Sequence, residues 1–145
     1  MEYLTNDFSG TQALGENLAE KAKPGRIARI FCLRGDLGAG KTTFLQGFGR
    51  GLKIKERIQS PTFIIMSRTP LKGQAFKDFF HFDCYRLDSP QEIIKLGFEE
   101  IISNPENIIA IEWPEKIEKF LPPKTTEIIF KILEENQRKI TITEK

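Results

Sequence analysis

The sequence predicts an α/β domain, a mixed β-sheet flanked by helices in three layers, with residues 1–145 forming one unit. Three observations carry that expectation. Helix-like and strand-like stretches alternate through the first half of the chain, the pattern of crossover units that cover both faces of a parallel sheet. The run Ile108-Ile-Ala-Ile111 is wholly apolar, as a strand buried on both faces must be, instead of alternating. Near the end, alternating Ile128, Phe130 and Ile132 face a last stretch, Arg138–Thr143, across Glu134–Gln137, which reads as an antiparallel hairpin at one edge of the sheet.

Taken in order, Ser9-Gly-Thr-Gln12 has capping-box spacing, and Leu14, Leu18 and Ala22 recur at helical intervals until Lys23-Pro-Gly25 ends that helix. Arg26 to Leu33 follows as a strand rich in branched and aromatic residues. In the next helix Phe44, Leu45, Phe48 and Leu52 share a face. Gly47, Gly49 and Gly51 lower its intrinsic preference, so tertiary packing must hold it. Further strands are expected at residues 63–67, 75–82 and 108–111. Ser89-Pro-Gln-Glu92 is a second capping box, with proline at the first helical position and Gly97 ending the helix that carries Ile93 and Leu96.

A formal charge of +2 gives no broad basic footprint, so tight direct binding of nucleic acid is not expected. The two cysteines, Cys32 and Cys84, lie inside apolar runs without metal-ligand spacing and read as reduced core thiols. The N-terminal residues lack a basic segment followed by an apolar one, and no stretch has the length of a membrane span. The expectation is a cytoplasmic protein with no membrane partner.

Gly35-Asp-Leu-Gly-Ala-Gly40-Lys41-Thr42 fits G-x-x-x-x-G-K-[ST], and it stands between an expected strand and an expected helix, as a P-loop requires. The glycines let the backbone curl so that the N–H groups of Gly38, Ala39 and Gly40 point at phosphates, and the helix N-terminus adds its partial positive charge. In such a loop Lys41 reaches the β- and γ-phosphates, the Thr42 hydroxyl helps to hold Mg2+, and Thr43 adds a hydroxyl contact to the α-phosphate. The fold expected is therefore a P-loop NTPase-like mixed sheet, with ATP and Mg2+ as its ligands.

Two acids end apolar runs and compete for the metal. Glu112 closes the strand of IIAIEWPE, where a carboxylate at the carboxyl end of a buried parallel strand faces the site and can ligate Mg2+ or orient water. The bland alternative makes it an N-terminal charge on a helix begun by Pro114. Asp83 lies in His81-Phe-Asp-Cys-Tyr85-Arg86, where alternation puts His81, Asp83 and Tyr85 on one side and Phe82 and Cys84 on the other. It either orients water near the metal or forms a structural bond with Arg86 or His81. Ser60-Pro-Thr-Phe63 is either a simple turn or a loop that senses the γ-phosphate.

The strings GDLGAGKTTF, SPTF, HFDCYR and IEWPE, in this order and spacing, resemble the TsaE family, also called YjeE, of small bacterial P-loop ATPases. The resemblance spans most of the chain. It implies an ATPase that works with TsaD and TsaB in making threonylcarbamoyladenosine on tRNA, supporting repeated turnover of the TsaD–TsaB complex and meeting tRNA only through it. It also implies Lys41 on the phosphates, Thr42 and Glu112 on Mg2+, Asp83 in hydrolysis, and Thr11 and Arg138 near the nucleotide. Family members often continue after SPTF with a leucine-valine run toward a tyrosine, whereas this chain has IIMSRTPLKG.

Three other readings compete. A small-molecule P-loop kinase would carry an arginine-rich lid, and here the arginines are scattered. A GTPase would carry Asn-Lys-x-Asp, which does not occur. A module with purely structural ATP would bind nucleotide without releasing phosphate.

Overall fold

The structure is a computed structural model that describes residues 1–24, 29–56, 58 and 65–145. Its elements follow in chain order: strand β1 (Glu2–Thr5), helix α1 (Phe8–Lys21), β2 (Ile30–Arg34), α2 (Lys41–Gly51), β3 (Met66–Pro70) and β4 (Asp78–Asp83). Then come α3 (Gln91–Lys95), α4 (Phe98–Ser103), β5 (Asn107–Glu112), a 3₁₀ segment at Pro114–Phe120, β6 (Thr126–Ile132) and β7 (Arg138–Glu144). The described strands form one sheet in the order β1-β7-β6-β2-β5-β4-β3. Its centre is parallel, β6 and β5 on either side of β2 and β4 beyond β5, while β1, β7 and β3 run antiparallel to their neighbours. This is the mixed, three-layer α/β arrangement that the sequence predicts.

Alternation along the strands sorts the core into its two halves. Phe31 and Leu33 of β2, Ile108 and Ala110 of β5, and Ile128 and Phe130 of β6 pack under α1 and α2 with Phe44, Leu45 and Phe48. Ile30 and Cys32, Ile109 and Ile111, and Phe80 and Phe82 point the other way, onto Ile93, Phe98 and Ile117 of α3, α4 and the 3₁₀ segment. A strand covered on both faces cannot alternate apolar with polar, which is why β5 reads as a continuous hydrophobic run. Both cysteines are free and buried, as expected, and burial pushes the Cys84 thiol up to about 12.

The glycines of α2 are explained by α1. A methyl group on Gly47 would lie 1.8 Å from the Gln12 carbonyl oxygen, and one on Gly51 would lie 2.5 Å from that of Glu16. Gly15 of α1 faces the Phe44 carbonyl just as closely, at 2.2 Å. The two backbones therefore touch, and van der Waals packing replaces the helix propensity the glycines forfeit. Gly47→Ala should raise intrinsic helix preference by about 1 kcal/mol, but the clash is with backbone and cannot relax by a rotamer change. The net expectation is a loss of about 2 kcal/mol, read as a lower urea midpoint; an unchanged midpoint would show that the helices are not in contact there.

Several boundaries differ from the sequence expectation. Helix α1 starts at Phe8 and its cap is Asp7, whose Oδ1 accepts from the Gly10 N–H at 2.8 Å, in place of the box expected at Ser9. An aspartate three residues before a free N–H competes directly with a serine for that role. Likewise Ser89 does not close a box with Glu92: its hydroxyl accepts from the Gln91 N–H and bonds the Gln91 side chain. The chain does break at Gly97, which is left-handed (φ 83°), yet resumes at once as α4 with Phe98 fully buried. Strand β1, four residues long, carries too little periodicity to be read locally and forms by adding to β7. Strand β4 begins at Asp78, three residues later than expected, and Met66 to Pro70 of β3 pair with Phe82 to Asp78. Residues 26–28 of the expected second strand, residues 63 and 64, and the Ser60–Phe63 loop lie outside the described residues.

Candidate functional site

The loop of residues 35–40 leaves the carboxyl end of β2, the central parallel strand, and delivers the chain into α2. Gly40 is the N-cap of α2 at φ 105°, and Gly38 sits at φ 79°, a region L-residues with side chains seldom enter. The curl is tied in part by the Ala39 N–H, which donates to the Asp36 carbonyl at 3.1 Å, so of the three loop amides expected from the sequence that one is already used within the loop. The earliest N–H groups of a helix lack carbonyl partners within it, and the macrodipole makes the same end electropositive. The local backbone thus builds an anion-attracting concavity. Ala39 differs from its neighbours: its side chain is packed into the core beneath α1 and α2 and does not line the cavity.

A cavity of about 820 Å³ opens above this loop. Thr11, Gly38, Gly40, Lys41, Thr42, Thr43, Asp83, Glu112 and Arg138 line it, so the residues expected to meet phosphate, metal or nucleotide, Ala39 excepted, reach one space. The strand pattern accounts for the acidic wall. Asp83 of β4 and Glu112 of β5 are register partners at the carboxyl ends of adjacent parallel strands, and both share the sheet face of Phe79 and Ala110, which is the α2 side.

Lys41 is buried (5% exposed) and its Nζ donates to the Gly35 carbonyl at 2.6 Å while standing 3.7 Å from the centre of the Trp113 ring. Trp113 takes a left-handed backbone conformation, φ 57° and ψ 50°, at the end of β5 and immediately before Pro114. That conformation costs a non-glycine residue roughly 1–3 kcal/mol, and here it places the indole over the ammonium and 4.9 Å from the Tyr85 ring. Burial lowers the Lys41 pKa below its ordinary value, against the pull of Glu112, Glu115, Asp83 and Asp36.

Glu112 is 3% exposed and its Oε2 accepts from His81 Nε2 at 2.7 Å; His81 is itself 2% exposed. Neither structural bond weighed for Asp83 from the sequence is the one that forms, because His81 reaches across to β5. Asp83 instead accepts from the Tyr85 N–H at 3.1 Å. Burial raises the Asp83 carboxyl above its ordinary value, and nearby Glu112 adds to that, while the Tyr85 N–H, His81 and Lys41 oppose it.

A carboxyl raised in the folded state is stabilising while protonated, and that contribution is lost as pH rises through the folded value. Asp83→Asn keeps the oxygen that accepts from Tyr85 and removes the charge. It is therefore expected to melt a few degrees higher than the parent at pH 7, with the gap closing as pH falls toward the ordinary carboxylate range. Scanning calorimetry from pH 4 to pH 8 checks this, and a lower melting temperature at pH 7 would contradict the burial argument.

The opposite wall comes from the chain ends. Thr11 is buried and shares a 2.8 Å hydrogen bond with the Thr5 hydroxyl, tying α1 to β1. Arg138 donates from Nη1 to the carbonyls of Glu134, Glu135 and Gln137 at 3.0, 3.0 and 3.1 Å, and from Nη2 to the Gly38 carbonyl at 3.2 Å. One guanidinium thus braces the β6–β7 hairpin against the glycine loop. The sequence reading had no signal for the Lys41–Trp113 stack or the His81–Glu112 bond, nor for Asp7, Phe8 and Asn136 in the cavity wall. Each is set by strand order or by a turn, not by local pattern.

The donors fit a hard divalent cation. The Thr42 hydroxyl and the Glu112 and Asp83 carboxylates are oxygen ligands on one cavity, the set Mg2+ prefers when waters and phosphate oxygens complete its shell. Among the described residues no group of three or more His, Cys, Asp and Glu side chains forms a dedicated metal cage. No described helix is long and apolar enough to cross a membrane.

A mixed sheet between two helical layers, with a glycine loop leading from the central parallel strand into a helix and an acid at the tip of the next strand, defines a P-loop protein. The family model described as "Threonylcarbamoyl adenosine biosynthesis protein TsaE" matches residues 5–140. The tRNA threonylcarbamoyladenosine biosynthesis protein TsaE of Bacillus subtilis (strain 168) is 36% identical over 143 residues, covering 99% of this chain and 85% of that protein. Its counterpart in Rickettsia felis is 39% identical over 140 residues, covering 96% and 77%. The crystal structure of Bacillus subtilis YdiB superposes with a TM-score of 0.77 at 31% identity, covering 99% of this chain and 84% of that one. The chain belongs to the TsaE family.

Proposed function

We propose that this chain is a Mg2+-dependent ATPase that serves threonylcarbamoyladenosine modification of tRNA in the cytoplasm, acting on the TsaD–TsaB complex and meeting tRNA through it, with residues 1–145 as one ATPase domain. The observation that carries the reading is the convergence of Lys41, Thr42, Asp83 and Glu112 on the cavity above the glycine loop. The amides of Gly38 and Gly40 cradle the phosphates while the Ala39 amide holds the loop through the Asp36 carbonyl, and Thr43 adds its hydroxyl. Lys41 leaves the Gly35 carbonyl to meet the β- and γ-phosphates, exchanging one oxygen acceptor for charged ones.

Thr42 and Glu112 hold Mg2+, which supplies neutralisation of the charge that develops on the phosphates. Asp83, whose raised pKa makes it a better proton acceptor than an exposed aspartate, orients the attacking water. Thr11 and Arg138 bound the nucleotide end of the cavity.

The test is tRNA modification reconstituted with TsaD and TsaB, with and without this protein, following ATP consumed and product formed over several cycles. Product beyond the first cycle only when the protein and ATP are both present supports the proposal. ATP-dependent phosphorylation of a metabolite, with no effect on tRNA modification, would replace it with the kinase reading.

A further inference from the structure

Behind Glu112, which lines the cavity, stands His81, also buried, and the Mg2+ chemistry proposed above uses only the glutamate. His81 lies on β4 two residue pairs below the acids, on the same face: its register partner is Ala110, whereas Asp83 pairs with Glu112. Its ring must therefore lean along the sheet to reach Glu112, and it is held in that lean by Phe79, whose ring lies nearly parallel (15°) at 6.4 Å. The Nε2–Oε2 distance of 2.7 Å is that of a hydrogen bond to a charged acceptor. A carboxylate accepts, so Nε2 carries the proton.

Glu112 needs such a partner. A glutamate has three rotatable side-chain bonds, and a flexible carboxylate would lose rotamer freedom each time it gripped a cation. With one oxygen fixed by a ring that is itself packed, much of that ordering is done before any ligand arrives. Among the described residues, no buried side-chain nitrogen or oxygen lacks a hydrogen-bond partner, so the pair sits in a fully satisfied polar network.

We infer that His81 is a positioning residue: it acts through Glu112, fixing the carboxylate for Mg2+ that accompanies the nucleotide. This rests on the nucleotide-site reading above. The role makes a prediction that a purely structural histidine does not, because the shape of the side chain and its donor can be separated. His81→Phe fills similar volume and stacks on Phe79 but donates nothing, whereas His81→Gln places an amide N–H near the position of Nε2.

The experiment is calorimetric titration of the full-length protein with ATP, with and without Mg2+, for the parent and both variants, with circular dichroism to confirm folding. In the parent, Mg2+ is expected to tighten ATP binding. His81→Phe should lose about tenfold in the Mg2+-dependent gain, with Mg2+-free affinity unchanged, and His81→Gln should recover most of that loss. Should His81→Phe not fold, His81→Asn, whose shorter amide falls short of Glu112, takes its place with the same expected loss. A folded His81→Phe or His81→Asn with the parent's Mg2+ dependence overturns the role of His81 alone. A parent that binds no ATP, or binds it equally with and without Mg2+, overturns the nucleotide-site reading and this role together.

Discussion

Lys41→Ala is expected to cut ATP hydrolysis in the presence of TsaD and TsaB by about 100-fold or more, the scale on which removal of one preorganised donor is felt in a water-poor site. The reason lies in how the ammonium is held. It is buried against the Trp113 ring and the Gly35 carbonyl, so the protein has already stripped much of its water. Phosphate oxygens then find a donor with little hydration left to shed.

The fold should survive the change. A lysine whose folded pKa is lowered by burial gives a destabilising contribution at neutral pH, one that fades only as pH rises through the folded value toward the ordinary one. Removing it relieves that cost while losing the contact with Trp113. The measurement pairs phosphate release with a nucleotide titration followed by the fluorescence of Trp113, the single tryptophan of the chain. Full turnover in a well-folded Lys41→Ala protein would mean that the glycine loop does not hold the triphosphate.

Glu112→Gln carries the second large effect, and it should separate turnover from binding. The amide keeps the volume and an oxygen in reach of His81 but lacks the charge that opposes a divalent cation. Hydrolysis should fall by about 100-fold, while affinity for Mg-ATP should fall by no more than about tenfold. The contrast matters because a glutamate serving only as a charge at the start of the 3₁₀ segment would show neither change. Single-turnover hydrolysis and equilibrium binding on the same preparation decide it.

How much of this was legible in the sequence depends on whether the signal is local. The glycine loop announced itself because curled backbone, lysine and hydroxyl are all consecutive, and β5 did so because a strand covered on both faces has nowhere to put a polar residue. The acids were legible for the same reason, each ending an apolar run. His81 was seen as a neighbour of Asp83, but its partner is Glu112, 31 residues on in the chain. Only the order of strands brings β4 beside β5, and a single sequence does not state that order.

The glycines of α2 were read correctly as a weakness needing outside support, yet their purpose required knowing that α1 lies against them. Strand β1 was missed because its four residues become a strand by completing the edge that β7 offers. Capping was misplaced at α1 because two good caps stand two residues apart, Asp7 and Ser9, and local chemistry alone does not choose between them.

The contact of α1 with α2 through bare backbone has a mechanical consequence. Thr11 and Lys41 both line the cavity, on helices whose backbones meet closely at Gly15, Gly47 and Gly51, so the span between the two helices is fixed before any ligand enters. Accommodation must come from the other rim. There the Trp113 turn can trade its unfavourable dihedral angles for relaxed ones. A label on Trp113 and one on α1 would then report different histories of the same event, the first changing as nucleotide arrives and the second standing still.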